Sequence, residues 1–173
     1  MEATMNRATR GRSIGGGIFA GIVAGIVMFL YLVGTTAYHG GDIWQVMKGA
    51  GLPLLGERAA QPGFDLTAIL VGVGVHMGVS IIWALLFAIL FFGASRFGTF
   101  ALGAAWGIVV WLVMYYLVLP IAGLGFMSKS VPLGQAVLMH VVYGLIVGIA
   151  FLPYQRPRGA REPRLAERLG EPR

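Results

Sequence analysis

No charged residue falls inside any of four long stretches of this chain, Ser13 to Gly41, Leu66 to Ser95, Phe97 to Ser128 and Ser130 to Gln155. Each is longer than the roughly 20 residues a helix needs to cross a hydrocarbon layer of about 30 Å. Spanning strands need only about ten residues and alternate polar with apolar side chains, a pattern absent here. Hydrocarbon offers backbone groups no hydrogen bonds, so only helices or closed barrels cross it. The expected architecture is an all-α membrane protein, a four-helix bundle over 14–153 with spans at 15–37, 66–92, 98–122 and 132–153. An outer loop, 40–65, joins the first two spans, and the segments 1–13 and 154–173 flank the bundle.

Composition agrees. The apolar share is 57% and the charged share 12%, against roughly 45–50% and 25% in soluble domains. The chain has no cysteine, which removes disulfides, thiolate metal sites and cysteine nucleophiles. The first apolar run, Ile14 to Val33, exceeds the 7–15 residue core of a cleaved signal peptide and reads as a retained span. Although the net charge is +6, the basic residues flank the spans instead of forming a nucleic-acid surface, and no nucleic-acid partner is expected. Arg7, Arg10, Arg12, Arg96 and six arginines after Tyr154 lie on one side. Lys48, Arg58 and Lys129 lie on the other. This bias predicts that both termini are cytoplasmic. The Arg-rich tail mixes glutamates and prolines and is expected along anionic lipid headgroups or on a partner.

The two halves resemble one another. Gly21 and Gly25 with Ile26-Val27 match Gly103 and Gly107 with Ile108-Val109, and His76 with Ser80 matches His140 with Gly144. Each two-span unit returns the chain to its starting side. The halves therefore read as parallel repeats about an axis along the membrane normal. Glycines at four-residue spacing predict close helix packing: Gly17, Gly21 and Gly25; Gly74 with Gly78; Gly103 with Gly107; Gly144 with Gly148. In the outer loop, Asp42 followed by Gln45 resembles a capping box, and Gly51-Leu-Pro53 a stop. A short interfacial helix with Trp44 at headgroup level is expected between them.

His76 and His140 each lie ten residues into a span, about 15 Å below the outer boundary at 1.5 Å per residue. Polar groups at that depth usually face the bundle interior. Three readings compete. The imidazoles suit interhelical hydrogen bonds to Ser80, Tyr143 or backbone carbonyls. They also suit axial ligands of a b-type haem, or of copper with Met77 and Met139 nearby. Finally, they suit a proton or transport path. The first reading leads, so no cofactor is expected, with haem b as the alternative. No Asp or Glu lies within the spans to orient a catalytic histidine, and Gly15-Gly16-Gly17 precedes a span instead of a phosphate-binding turn. Enzyme activity is not expected.

With these residues in view, the chain resembles small uncharacterised bacterial four-span inner-membrane proteins. The resemblance rests on His140-Val-Val-Tyr143-Gly144 in the last span, His76-Met-Gly-Val-Ser80 in the second and the Trp-rich third span from Trp106 to Tyr116. It covers 15–153 and leaves out the 40s insertion and the arginine tail. It implies a fold and a bacterial cytoplasmic membrane, and no activity. The expected role is an accessory transmembrane subunit of a larger membrane complex, respiratory or photosynthetic. A haem electron carrier and a small transporter are the alternatives.

Overall fold

A computed structural model describes residues 7–155; 1–6 and the arginine tail from Arg156 lie outside the described residues. Helix α1 (Arg7–Tyr38) is followed by three short helices, α2 (Ile43–Gly49), α3 (Leu52–Leu55) and α4 (Glu57–Ala60). Helix α5 (Leu66–Phe91) leads through a tight turn into α6 (Arg96–Val113). A π-helical turn (Met114–Val118) and α7 (Leu119–Ile121) extend α6, and α8 (Met127–Ser130) precedes α9 (Leu133–Phe151). No strand occurs among the described residues. Four helical runs are long and apolar enough to cross a membrane: Arg10–Tyr38, Leu66–Phe91, Arg96–Ile121 and Leu133–Tyr154.

Local chemistry sets the ends. Asp65 caps α5 by accepting the Ala68 amide at 3.1 Å, and Ser95 caps α6 by accepting the Gly98 amide at 2.8 Å, each satisfying a first-turn donor. Between them Gly93 takes φ 94°, a conformation open to glycine at little cost, and the chain reverses.

Packing follows the small residues. A Cβ built on Gly21 would lie 2.6 Å from Ile81 Cα, and one on Gly103 would lie 2.6 Å from Gly144 O. Helix α1 therefore runs in backbone contact with α5, and α6 with α9; without a hydrophobic drive inside lipid, such proximity is what dispersion and backbone contacts require. Gly17 and Gly25 extend the first contact, Gly107 and Gly148 the second. Gly74 and Gly78 do not join: a Cβ on either meets nothing within 4 Å. The contact of α5 with α1 runs along Met77, Ser80, Ile81, Ala84, Leu85 and Ala88, and Gly74 and Gly78 lie outside it.

The two pairs join unequally. Helix α1 lies broadly along α9, whereas α5 and α6 touch sparingly and the space beside them is filled by rings. Trp106 stands 5.8 Å from Trp83, 6.2 Å from Phe87 and 5.9 Å from Phe91, and its indole N–H donates to Trp83 O at 3.2 Å. Ala20, Ala24, Phe87, Val147 and Phe151 complete a fully buried core. At the end of the bundle bearing the α5–α6 turn, the buried Gln155 ties that turn to the last helix. It accepts the Gly93 amide at 2.7 Å and donates to Thr99 Oγ1 at 2.8 Å and Phe91 O at 3.2 Å.

The opposite end carries a cap built from 42–65. Asp42 starts α2 by accepting the Trp44 amide at 2.9 Å. The reciprocal half of a capping box is replaced, since Gln45 donates to Ala60 O at 3.2 Å instead. Lys48 is 1% exposed; its ammonium donates to Gly63 O at 2.8 Å and to Gln61 O. Asp42 also accepts the Gly63 amide at 2.9 Å. Gly72 of α5 lies directly beneath Met47 and Lys48, which seats the cap on the bundle.

Arg58 grips Asp65 at 2.7 and 3.0 Å. That pairing, with the Ala68 amide, holds the Asp65 carboxyl down from 3.8 to about 2. Asp42 is lowered too, chiefly by the Gly63 amide. A depressed carboxylate stabilises the folded state fully above its unfolded pKa and loses that contribution as pH falls through the folded value. Amide protection in the cap is therefore expected to hold level from neutral pH to about 4 and to fall between ~4 and ~2. Hydrogen exchange read as protection factors checks this, and Asp65→Asn should weaken the step. An unchanged acid step in that variant would refute the assignment.

Candidate functional site

The polar groups inside the spans are few, and His76, Ser80, His140 and Tyr143 are each engaged. His76 sits on α5 facing α1: its Nε2–H donates to Gly25 O at 3.0 Å, and its ring lies 5.6 Å from Phe29. A carbonyl has two lone pairs, so Gly25 O serves both its helix and the imidazole. His140 bonds within its own helix, with Nδ1–H donating to Ala136 O at 2.8 Å. Its ring meets Tyr115 edge-on at 5.6 Å. Tyr143 supplies the link between the second and fourth spans, its hydroxyl donating to Ser80 O at 2.7 Å. Ser80 thus contributes its backbone carbonyl, in a buried position where an unmet donor would be costly.

The two imidazoles therefore reach toward different helices, His76 toward α1 and His140 toward the far end of α6. Axial ligation of one haem iron would take a ring nitrogen from each histidine, one on either face of the macrocycle. Here one nitrogen of each ring is bonded to a backbone carbonyl, that of Gly25 and that of Ala136, and Tyr143 links the second and fourth spans. Met77 lies against Gly25, and Met139 lines a small apolar groove of about 120 Å³ with Met28 and Tyr31. No cluster of three or more His, Cys, Asp or Glu suited to a metal occurs among the described residues.

A more open feature lies where α6 ends. Pro120 has no N–H and crowds the carbonyl four residues back, that of Tyr116. The helix widens there into the π-helical turn, with Leu119 N–H donating to Met114 O. π-turns recur at functional sites because they re-aim side chains. Here consecutive residues, Tyr115 and Tyr116, line one cavity of about 410 Å³ together with Pro120, Ser128, Lys129 and Leu133. Trp111 packs beside both tyrosines, at 6.1 and 5.8 Å, and its buried indole N–H has no partner among the described residues. Comparison with protein-family models, curated proteins and solved structures finds no match to this chain.

The cavity is the site that spacing arguments missed. Its signal in the sequence was Pro120 close behind a pair of tyrosines, with Ser128-Lys129 just before the next span.

Proposed function

We propose that this chain is a structural, accessory transmembrane subunit of a larger membrane complex. In this reading both termini face the cytoplasm of a bacterial cell, the halves are parallel repeats, and the tail engages anionic lipid or a partner. The observation that carries it is the Gly74–Gly78 stripe of α5. The chain's own helices use the same four-residue spacing to approach one another, yet these two glycines meet nothing within 4 Å, while Leu70 and Ile82 beside them are exposed. Small residues at helix spacing on an outer face suit a helix from another subunit. The interior favours a scaffold over a conduit, since Phe87, Val147 and Phe151 are 0% exposed and each histidine is engaged within its own helix pair. For the same reason the haem-carrier reading is not taken up.

A photo-crosslinking residue at position 78, activated in native membranes, should give one discrete protein adduct in fixed stoichiometry. Gly78→Leu should cut co-purification of that partner about tenfold, on the view that overpacking a helix contact costs about 1–3 kcal/mol. A crosslink to lipid alone, or adducts only between copies of this chain, would sink the proposal.

A further inference from the structure

The cavity behind the π-turn has the chemistry of an anion site. Lys129 brings an ammonium with three donors, and Tyr115 and Tyr116 bring a phenolic O–H each; neither phenol has a hydrogen-bond partner among the described residues. Ser128 donates to Gly125 O at 2.7 Å. No carboxylate lines the cavity. Arg58–Asp65 is the one ion pair among the described residues, so Lys129 has no ion-pair partner there.

The walls are apolar. Pro120 and Leu133 line the cavity, and Leu133, Leu117 and Ile121 continue onto the outer face at 63%, 54% and 78% exposure. An occupant that matches both parts carries a phosphate at one end and a hydrocarbon chain at the other. The cavity also stands at the end of two spans, at the depth where lipid headgroups lie.

We propose that this cavity binds the phosphate of an anionic membrane lipid, with Lys129 supplying the charge, Tyr115 and Tyr116 the hydroxyl donors, and the acyl chain lying along Leu133 and Leu117. The shared chemistry is a phosphate oxyanion, which free phosphate also offers. The test is native mass spectrometry of the purified full chain in maltoside micelles. It is titrated separately with phosphatidylglycerol, with phosphatidylcholine and with inorganic phosphate.

The first phosphatidylglycerol should bind more tightly than phosphatidylcholine. Lys129→Gln should reduce that binding about fivefold, as expected for one basic residue at a lipid surface. Lys129→Arg should retain it, and the double change Tyr115→Phe with Tyr116→Phe should weaken it further. Lys129 is exposed, so the substitution leaves the packing untouched. Inorganic phosphate that binds with the same Lys129 dependence, with no preference for phosphatidylglycerol, overturns the lipid occupant and leaves a site for a soluble anion. The proposal is overturned if no preference for phosphatidylglycerol appears, or if Lys129→Gln and the paired tyrosine change leave it intact. In that last case the arginines at the other end hold the lipid.

Discussion

Gly144→Val will separate α6 from α9 and destabilise the protein by at least ~3 kcal/mol, the upper part of the usual overpacking range. A Cβ on Gly144 would lie 2.6 Å from Gly107 N and fall directly on Gly103 O. Both obstacles are backbone, which has no rotamer to yield, and two more methyl groups follow the Cβ. The reciprocal control is Gly78→Ala. With open space around it, that change should be neutral or stabilising by roughly 0.5–1 kcal/mol, the gain from replacing glycine in a helix. Unfolding in mixed micelles, followed by loss of helical ellipticity, measures both. Equal effects at the two sites would mean that the close α6–α9 contact is wrong.

Lys48→Met is expected to cost about 2 kcal/mol and to loosen the cap without opening the bundle. The side chains have similar length and the position is 1% exposed, so the apolar stem is largely preserved. What goes is a charged donor shared by Gln61 O and Gly63 O, and hydrogen bonds to charged groups contribute about 1.5–3 kcal/mol. The segment released is the return from α4 to α5, so proteolysis within 56–65 should accelerate while the four spans keep their exchange protection. A variant as resistant to proteolysis as the parent would show that the ammonium is not what closes the loop.

How far each feature could be read from the residues depended on what physical rule governed it. The spans were legible because hydrocarbon forbids charge and unmet backbone groups along a fixed length, and the sequence has to obey both. Glycine spacing identified which residues share a stripe on a helix, and it cannot say which stripe a neighbour covers. Gly21 and Gly103 accordingly sit in backbone contacts, whereas Gly74 and Gly78 look outward. The histidines show the same division. Counting residues placed His76 and His140 at one depth, but the directions of their rings depend on helix rotation, and they turn to Gly25 O and Ala136 O respectively.

Asp42 announced α2 because a side chain capping an amide two residues on is a local event. Gln45 bonded to Ala60 O because the fold brought a distant carbonyl closer than the local one. The π-turn was written in Pro120, whose missing N–H dictates a disturbance but not the form it takes. One widened turn was enough to bring two tyrosines to one cavity.

The pairing of the helices also bears on how the protein is made. Its tightest contacts join spans that follow one another along the chain, α1 with α5 and α6 with α9. Each hairpin has its principal partner within itself, so the first can close before the second leaves the ribosome. The later event is the docking of two finished hairpins along α1 and α9, sealed at the far side by the Trp83–Trp106 rings and locked by Gln155, one of the last residues of the bundle to emerge. Assembly of this fold divides into two local closures and one zippering, and the stretch that ends at Phe91 contains both helices of the first pair together with the cap.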